Sequence, residues 1–242
     1  MNEAGANPGI GILLKTTSVL GFTLMGACVK AATEVVPVTE AAFFRSFFAL
    51  LTIVAFLIWH GEMPSALATS NPWGHFWRGL IGMVAMVCHF AALALLPLPD
   101  AIALGYAMPM FVTVFAAVLL GEAVRSLRLA AVLAGLVGVL IILWPRLAFL
   151  RGEATSSSEL IGAACALGGA AAIGLSAVVV SRLIRAERTS AVVFYFSALC
   201  SIGFLLTAPF GWRMPDNVTL VLLILSGVRG GVSQLLLTEC YR

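Results

Sequence analysis

Arg45, His89 and Arg229 are side chains with ionisable groups set inside long apolar runs, and Tyr106 adds a hydroxyl beside a glycine–proline pair. A guanidinium in hydrocarbon costs at least about 2.5 kcal/mol on insertion scales, so it calls for an acid, a wet cavity or an escape to the headgroups. Arg45 lies about five residues, ~7.5 Å, into its run. It is a candidate solute contact; the alternatives are snorkelling to the headgroups or pairing with Glu40, Glu34 or Asp100. Arg229, deeper in its own run, is a second candidate, unless the lipid-embedded part of that run starts later. Histidine is the side chain whose ordinary charge change falls near neutral pH, so His89 could relay protons, although a lone histidine in a membrane more often makes one interhelical hydrogen bond. Tyr106 offers a hydroxyl or ring to a solute, or simply packs. Nothing points to an enzyme: there is no HExxH, no GxSxG and no paired aspartate, the two aspartates Asp100 and Asp216 being loop residues. The cysteines (Cys28, Cys88, Cys165, Cys200, Cys240) form no CxxC pair and read as small packing residues. No cofactor and no metal is expected.

The element that must position this chemistry is the stretch 100–122. Between Asp100 and Glu122 it holds 21 uncharged residues, enough at ~1.5 Å each to span the ~30 Å core of a bilayer. Pro109 stands four residues after Gly105. It removes one backbone hydrogen bond and clashes with the Gly105 carbonyl, which predicts a kink. Such a break in a membrane is tolerated where helices pack or line a wet cavity. Pro109 and Gly105 are therefore candidates for a bent wall along a solute path.

Composition agrees with a lipid setting. The chain is 61% hydrophobic and 10% charged, with a mean hydropathy of +1.07, against roughly 25% charged for a soluble domain. The net charge of +3 comes from basic residues scattered at the ends of apolar runs, so no nucleic-acid partner is expected. Eight runs are long enough to span: 12–32, 40–59, 73–96, 100–120, 127–144, 159–183, 190–210 and 217–238. Short connectors carrying Pro37, Pro64, Pro72, Pro97 and Gly211 separate them. Residues 1–11 form a tail, 12–145 a first set of five helices, 146–158 a serine-rich linker, and 159–242 a set of three. With the N-terminus cytoplasmic, eight lysines and arginines face inward and four outward, which favours that orientation.

Sliding the chain by 151 residues sets Arg45 beside Phe196 and Arg78-Gly79 beside Arg229-Gly230. Five spans before the linker is an odd number, so the second set starts from the opposite side: an inverted repeat. By this comparison the second set lacks counterparts of residues 92–144, and the expectation is a truncated product of a ten-helix protein, with a natural eight-helix chain as the alternative. Glu122 opposes the dipole of the helix that it ends, so it should pair with Arg125 or Arg128, as a structural bridge or as part of a gate. Gly162, Ala166, Ala170 and Gly174 recur every four residues, a stripe suited to close helix packing.

Together these residues resemble the EamA-type branch of the drug/metabolite transporter superfamily. The matching pieces are Glu40-Ala41-Ala42-Phe43-Phe44-Arg45, Arg78-Gly79, Ala91-Ala92-Leu93 through Pro97, Pro109, Gly121-Glu122, Gly135 through Pro145, and Ser226-Gly227 through Tyr241. The resemblance implies an all-α polytopic fold, eight transmembrane helices of a ten-helix (5+5) inverted-repeat transporter in the bacterial inner membrane, moving small metabolites by alternating access. Relatives carry amino acids, riboflavin or S-adenosylmethionine. The buried glutamate with which small multidrug relatives couple protons has no counterpart in the first helix here, which offers Lys15 and Lys30. The expected partners are a small-molecule solute and the lipid bilayer, with a homodimer as one further option. The leading expectation is a transporter or exporter of small polar, anionic or zwitterionic metabolites. The rival is a non-transporting membrane scaffold or partner subunit, or an inactive truncated transporter.

Overall fold

The computed structural model describes residues 8–61, 63, 67–121, 130, 132–135, 137–138, 141, 144 and 157–240. Among them run eight helices: α1 (Pro8–Ala32), α2 (Val38–Trp59), α3 (Pro72–Leu95), α4 (Leu98–Gly105), α5 (Met108–Leu120), α6 (Ser157–Leu183), α7 (Thr189–Leu205) and α8 (Asn217–Cys240). Taking α4 and α5 as one span, six spans are long and apolar enough to cross a membrane, and α7 is a shorter apolar helix. The expected span 127–144, with Glu122, Arg125 and Arg128, lies largely outside the described residues.

The ends of these helices follow from local chemistry. Pro37 and Pro97 precede α2 and α4 in an extended conformation, as a residue without an N–H can at a helix start. Asn71 Oδ1 accepts the Gly74 N–H at 2.9 Å and caps α3. Asp216 caps α8: hydrogen bonds from the Thr219 hydroxyl and from the N–H groups of Thr219 and Val218 hold its carboxyl below the usual range. Gly121 ends α5 in the left-handed region at φ 65°.

The 100–120 span breaks just before Pro109. α4 stops at Gly105, Tyr106 and Ala107 form a turn, and Pro109 occupies the first turn of α5. Around the break, backbone bonds tighten to the three-residue type, with Ala107 N–H reaching Leu104 O at 3.0 Å. The expected run 190–210 is corrected: α7 ends at Leu205, and turns fill 206–211. Pro209 disfavours helix at Ala208, and Gly211 takes φ 88°.

The chain packs as two compact units, Met1–Gly79 with Val180–Arg242, and Leu80–Val179. In the first, α8 lies against α1 and α2, and α7 packs on α2 and α8. Small residues allow the approach. The Ser18 hydroxyl donates to Ser233 O at 2.8 Å, and a Cβ on Gly21 would stand inside the Ser233 hydroxyl. On α8, Gly227 and Gly231 are spaced by four. A Cβ on Gly227 would lie 2.4 Å from Phe48 Cβ, and one on Gly231 3.0 Å from Ala49 Cα. That is small-residue membrane packing, backbone against backbone. Ile53, Leu57 and Val193 form a core with Leu67, Phe194 and Leu235 around them.

Both ends of this unit are tied by carboxylates. At one end Glu40, fully buried, accepts the Arg213 N–H at 2.9 Å, and Trp212 rests 5.0 Å from the Phe43 ring. At the other, Glu187 Oε1 accepts from Thr69 Oγ1, Ser70 N, Ser70 Oγ and Asn71 N at 2.8–3.0 Å. Glu187 Oε2 lies 3.7 Å from His75 Nε2. Burial pushes the Glu187 carboxyl up, but the bonds from Ser70, Thr69 and Asn71 outweigh it and hold the group below the usual carboxylate range.

In the second unit the small-residue stripe of α6 meets α3, the turn that follows it, and α5. A Cβ on Gly162 would lie 2.8 Å from Leu96 Cγ, and one on Gly174 2.9 Å from Phe111 Cβ. Ala166 and Ala170 are buried between them.

Candidate functional site

Arg45 and Arg78 converge on one aromatic ring in the interior of the first unit. Arg45 lies seven residues into α2, about 10 Å, and Arg78 six residues into α3, about 9 Å. They are 4% and 5% exposed. Both guanidinium groups lie over the ring of Phe196 on α7, the Cζ of Arg78 at 4.0 Å from its centroid and that of Arg45 at 5.8 Å. Cys200, one turn further along α7 and fully buried, is within electrostatic reach of both. Gly79 and Gly230 make room. A Cβ on Gly79 would press on Leu199, and one on Gly230 would stand 3.0 Å from Arg45 Nε and 3.4 Å from its Nη2.

This pair is short of partners. Arg45 Nε, Arg78 Nε and Arg78 Nη1 are buried with no hydrogen-bond acceptor. Of the acids named as alternatives for Arg45, Glu40 accepts the Arg213 N–H instead, and Arg45 Nε has no acceptor. A cation over a ring in a dry site is worth about 2 kcal/mol, whereas burying a charge costs several kcal/mol per ion. Phe196 therefore does not settle the pair, and two like charges add their repulsion.

The other residues singled out in the sequence take different places. Arg229 lies twelve residues into α8, as deep along its helix as its run implies, and is exposed there. The glycines at 227, 230 and 231 turn their side of the helix to α1 and α2, and Arg229 falls beside that face. Arg78, half of the Arg-Gly pair noted in the sequence, is buried. His89 is half-buried on α3, its ring 6.1 Å from that of Phe90, with the backbone of α6 close by at Gly169. Tyr106 stands 69% exposed at the break between α4 and α5. Pro109 is exposed too, and its carbonyl accepts the Thr113 hydroxyl at 2.9 Å. Gly105 is half-buried, with open space where a Cβ would point. His89, Tyr106 and Pro109 belong to the second unit; Arg45 and Arg229 belong to the first.

Two features escaped the sequence reading. Arg78 was visible only as half of an Arg-Gly pair, and Phe196 only as the partner that the 151-residue shift set beside Arg45. Among the described residues no three His, Cys, Asp or Glu side chains converge as metal ligands. A groove of about 330 Å³ at the start of α8, walled by Asn217, Val218, Val221 and Leu222, is almost wholly apolar. Its walls offer no charge to select a polar solute.

Residues 9–144 match the EamA-like transporter family. The pseudopaline exporter CntI of Pseudomonas aeruginosa is 30% identical over 203 residues, 84% of this chain and 66% of the exporter. The riboflavin transporter of Rhizobium johnstonii is 30% identical over 237 residues, covering 96% of this chain and 74% of the other. The S-adenosylmethionine uptake transporter of Rickettsia bellii is 24% identical over 237 residues, 94% and 78% of the two chains. This chain thus spans about two thirds of the length of the exporter. One crystal structure, 22% identical, superposes with a TM-score of 0.70 over 96% of this chain and 79% of its own, and shares the fold.

Proposed function

The chain belongs to the EamA-like transporter family, and we propose on that premise that it moves a small anionic or zwitterionic metabolite across the bacterial inner membrane. The observation that carries this reading is Arg45, buried in an apolar helix with no acid beside it among the described residues. A fixed positive charge of this kind favours a cargo that brings its own negative charge. The printed functions of the relatives, export of pseudopaline and transport of riboflavin or S-adenosylmethionine, support a small polar cargo without selecting one. The mechanism we propose is alternating access: two inverted repeats, 12–145 and 159–242, rock about a site near the bilayer midplane, with the Pro109 bend as a compliant wall. The N-terminus is cytoplasmic in this arrangement.

The test is uptake into proteoliposomes holding the full chain, with radiolabelled amino acids and other small carboxylates offered one at a time. A saturable flux is expected for at least one, lost in Arg45→Ala while membrane insertion is unchanged. Flux that survives Arg45→Ala refutes a cargo role for Arg45. No flux of any anionic or zwitterionic solute refutes the reading as a whole.

A further inference from the structure

We infer that Arg45 and Arg78 together form a binding site for one small oxyanion, a carboxylate or phosphate group, held beside Phe196, with Arg78 as its second cationic arm. The inference rests on the transporter reading above and adds to it a residue, Arg78, and the chemistry of the group recognised.

Three observations carry it. Three nitrogens with N–H groups, Arg45 Nε, Arg78 Nε and Arg78 Nη1, are buried with no acceptor, and such groups cost about 1–3 kcal/mol each when left unmade, more when charged. The guanidinium carbons of both arginines lie over the one Phe196 ring, at 5.8 and 4.0 Å from its centroid, so the two cations converge on a side chain that offers their N–H groups no oxygen or nitrogen acceptor. On Arg45, Nε and Nη2 pack beside Gly230, where a Cβ would stand 3.0 and 3.4 Å from them and 3.0 Å from Met25 Sδ. Any larger side chain at that position would crowd these nitrogens.

Charge separates an anion from the simpler occupant, water. Water could accept the three N–H groups, but it leaves two positive charges beside each other in a dry interior. Cys200 is the titratable side chain near both arginines. As a thiol it offers one weak acceptor and no charge. An oxyanion supplies both needs: its oxygens accept several N–H groups, and its charge offsets the repulsion. Arginine, rather than lysine, suits planar two-point recognition and stacks on an aromatic ring while doing so. The same chemistry could be brought by a free solute or by the phosphate of a lipid headgroup.

Binding is tested on the full chain in detergent micelles by calorimetry with succinate, inorganic phosphate and the neutral diamide succinamide. Nanodiscs with and without phosphatidylglycerol form a second arm. Succinate or phosphate should bind and succinamide should not, a comparison that needs no variant. Arg45→Gln and Arg78→Gln should each weaken binding about 10- to 100-fold, the loss of one or two charged hydrogen bonds. Arg78→Lys should restore little of that loss. Gly230→Ala should weaken binding with every charge retained. If only phosphatidylglycerol protects, the site stands and its occupant is a headgroup. Equal binding of succinamide, or full affinity in Arg78→Gln, overturns the site. Oxyanion binding without flux would keep the site and remove the transport reading; flux with no oxyanion binding at Arg78 would do the reverse.

Discussion

Replacing Glu187 by glutamine should loosen the contact between the 67–71 loop and the turn before α7. One carboxylate oxygen accepts four hydrogen bonds at 2.8–3.0 Å, and the side chain is 2% exposed. A hydrogen bond to a charged group exceeds a neutral one by about 1 kcal/mol. The donors Ser70 and Asn71 are exposed residues, so water recovers part of the loss. The net expectation is about 2 kcal/mol at neutral pH. The pH dependence has a definite sign. Because the folded carboxyl ionises below the usual range, its contribution is complete above the unfolded value of about 4.3. It then drains away as pH falls through the lower folded value. Equilibrium unfolding in mixed micelles, followed by tryptophan fluorescence, should therefore show a gap between the native chain and Glu187→Gln at pH 7 that closes in acid. No gap at pH 7, or one that widens as pH falls, would refute the reasoning.

Gly227→Ala should destabilise the first unit by about 1–3 kcal/mol, since the new methyl would stand 2.4 Å from Phe48 Cβ. Gly105→Ala, where the methyl meets open space, is the control for the same unfolding measurement. Pro109→Ala restores an N–H for the Gly105 carbonyl and should straighten α4 into α5. Spin labels at positions 100 and 118 should then move apart, and an unchanged distance would show that tertiary packing holds the bend. In a cysteine-less background, single cysteines at positions 68 and 214, both exposed, should react with an impermeant maleimide from opposite sides of the membrane. Labelling of both from one side would overturn the inverted topology.

What was legible in the sequence is what covalent geometry and short spacing control. The bend follows from one proline ring and the carbonyl four residues earlier, so it needs no distant partner. The α6 stripe follows from a period of four. Arg45 was legible as a charge in an apolar run, but its surroundings were not. Phe196 arrives 151 residues later, and nothing local says whether such a charge meets an acid, a ring or a headgroup. Arg78 shows the same limit: in the sequence it is half of an Arg-Gly pair, and only tertiary packing buries it. Arg229 was legible as a charge deep in its run, and the face it takes on α8 follows from the glycines around it. Gly227, Gly230 and Gly231 define the contact face of α8, and helical phase puts residue 229 off that face. Glu187 gave no local sign, because the donors that hold it lie 116–118 residues earlier in the chain.

The seam between Ser18 and Ser233 sets a timetable for biogenesis. α1 leaves the ribosome more than two hundred residues before the helix that covers it, at ~5–20 residues per second. For at least about ten seconds, the groove left for α8 must face lipid or an insertion factor, with the Arg45 side chain still uncovered on its α8 side. A chaperoned wait of that length is a step at which synthesis rate, and not final stability, decides the yield of folded protein.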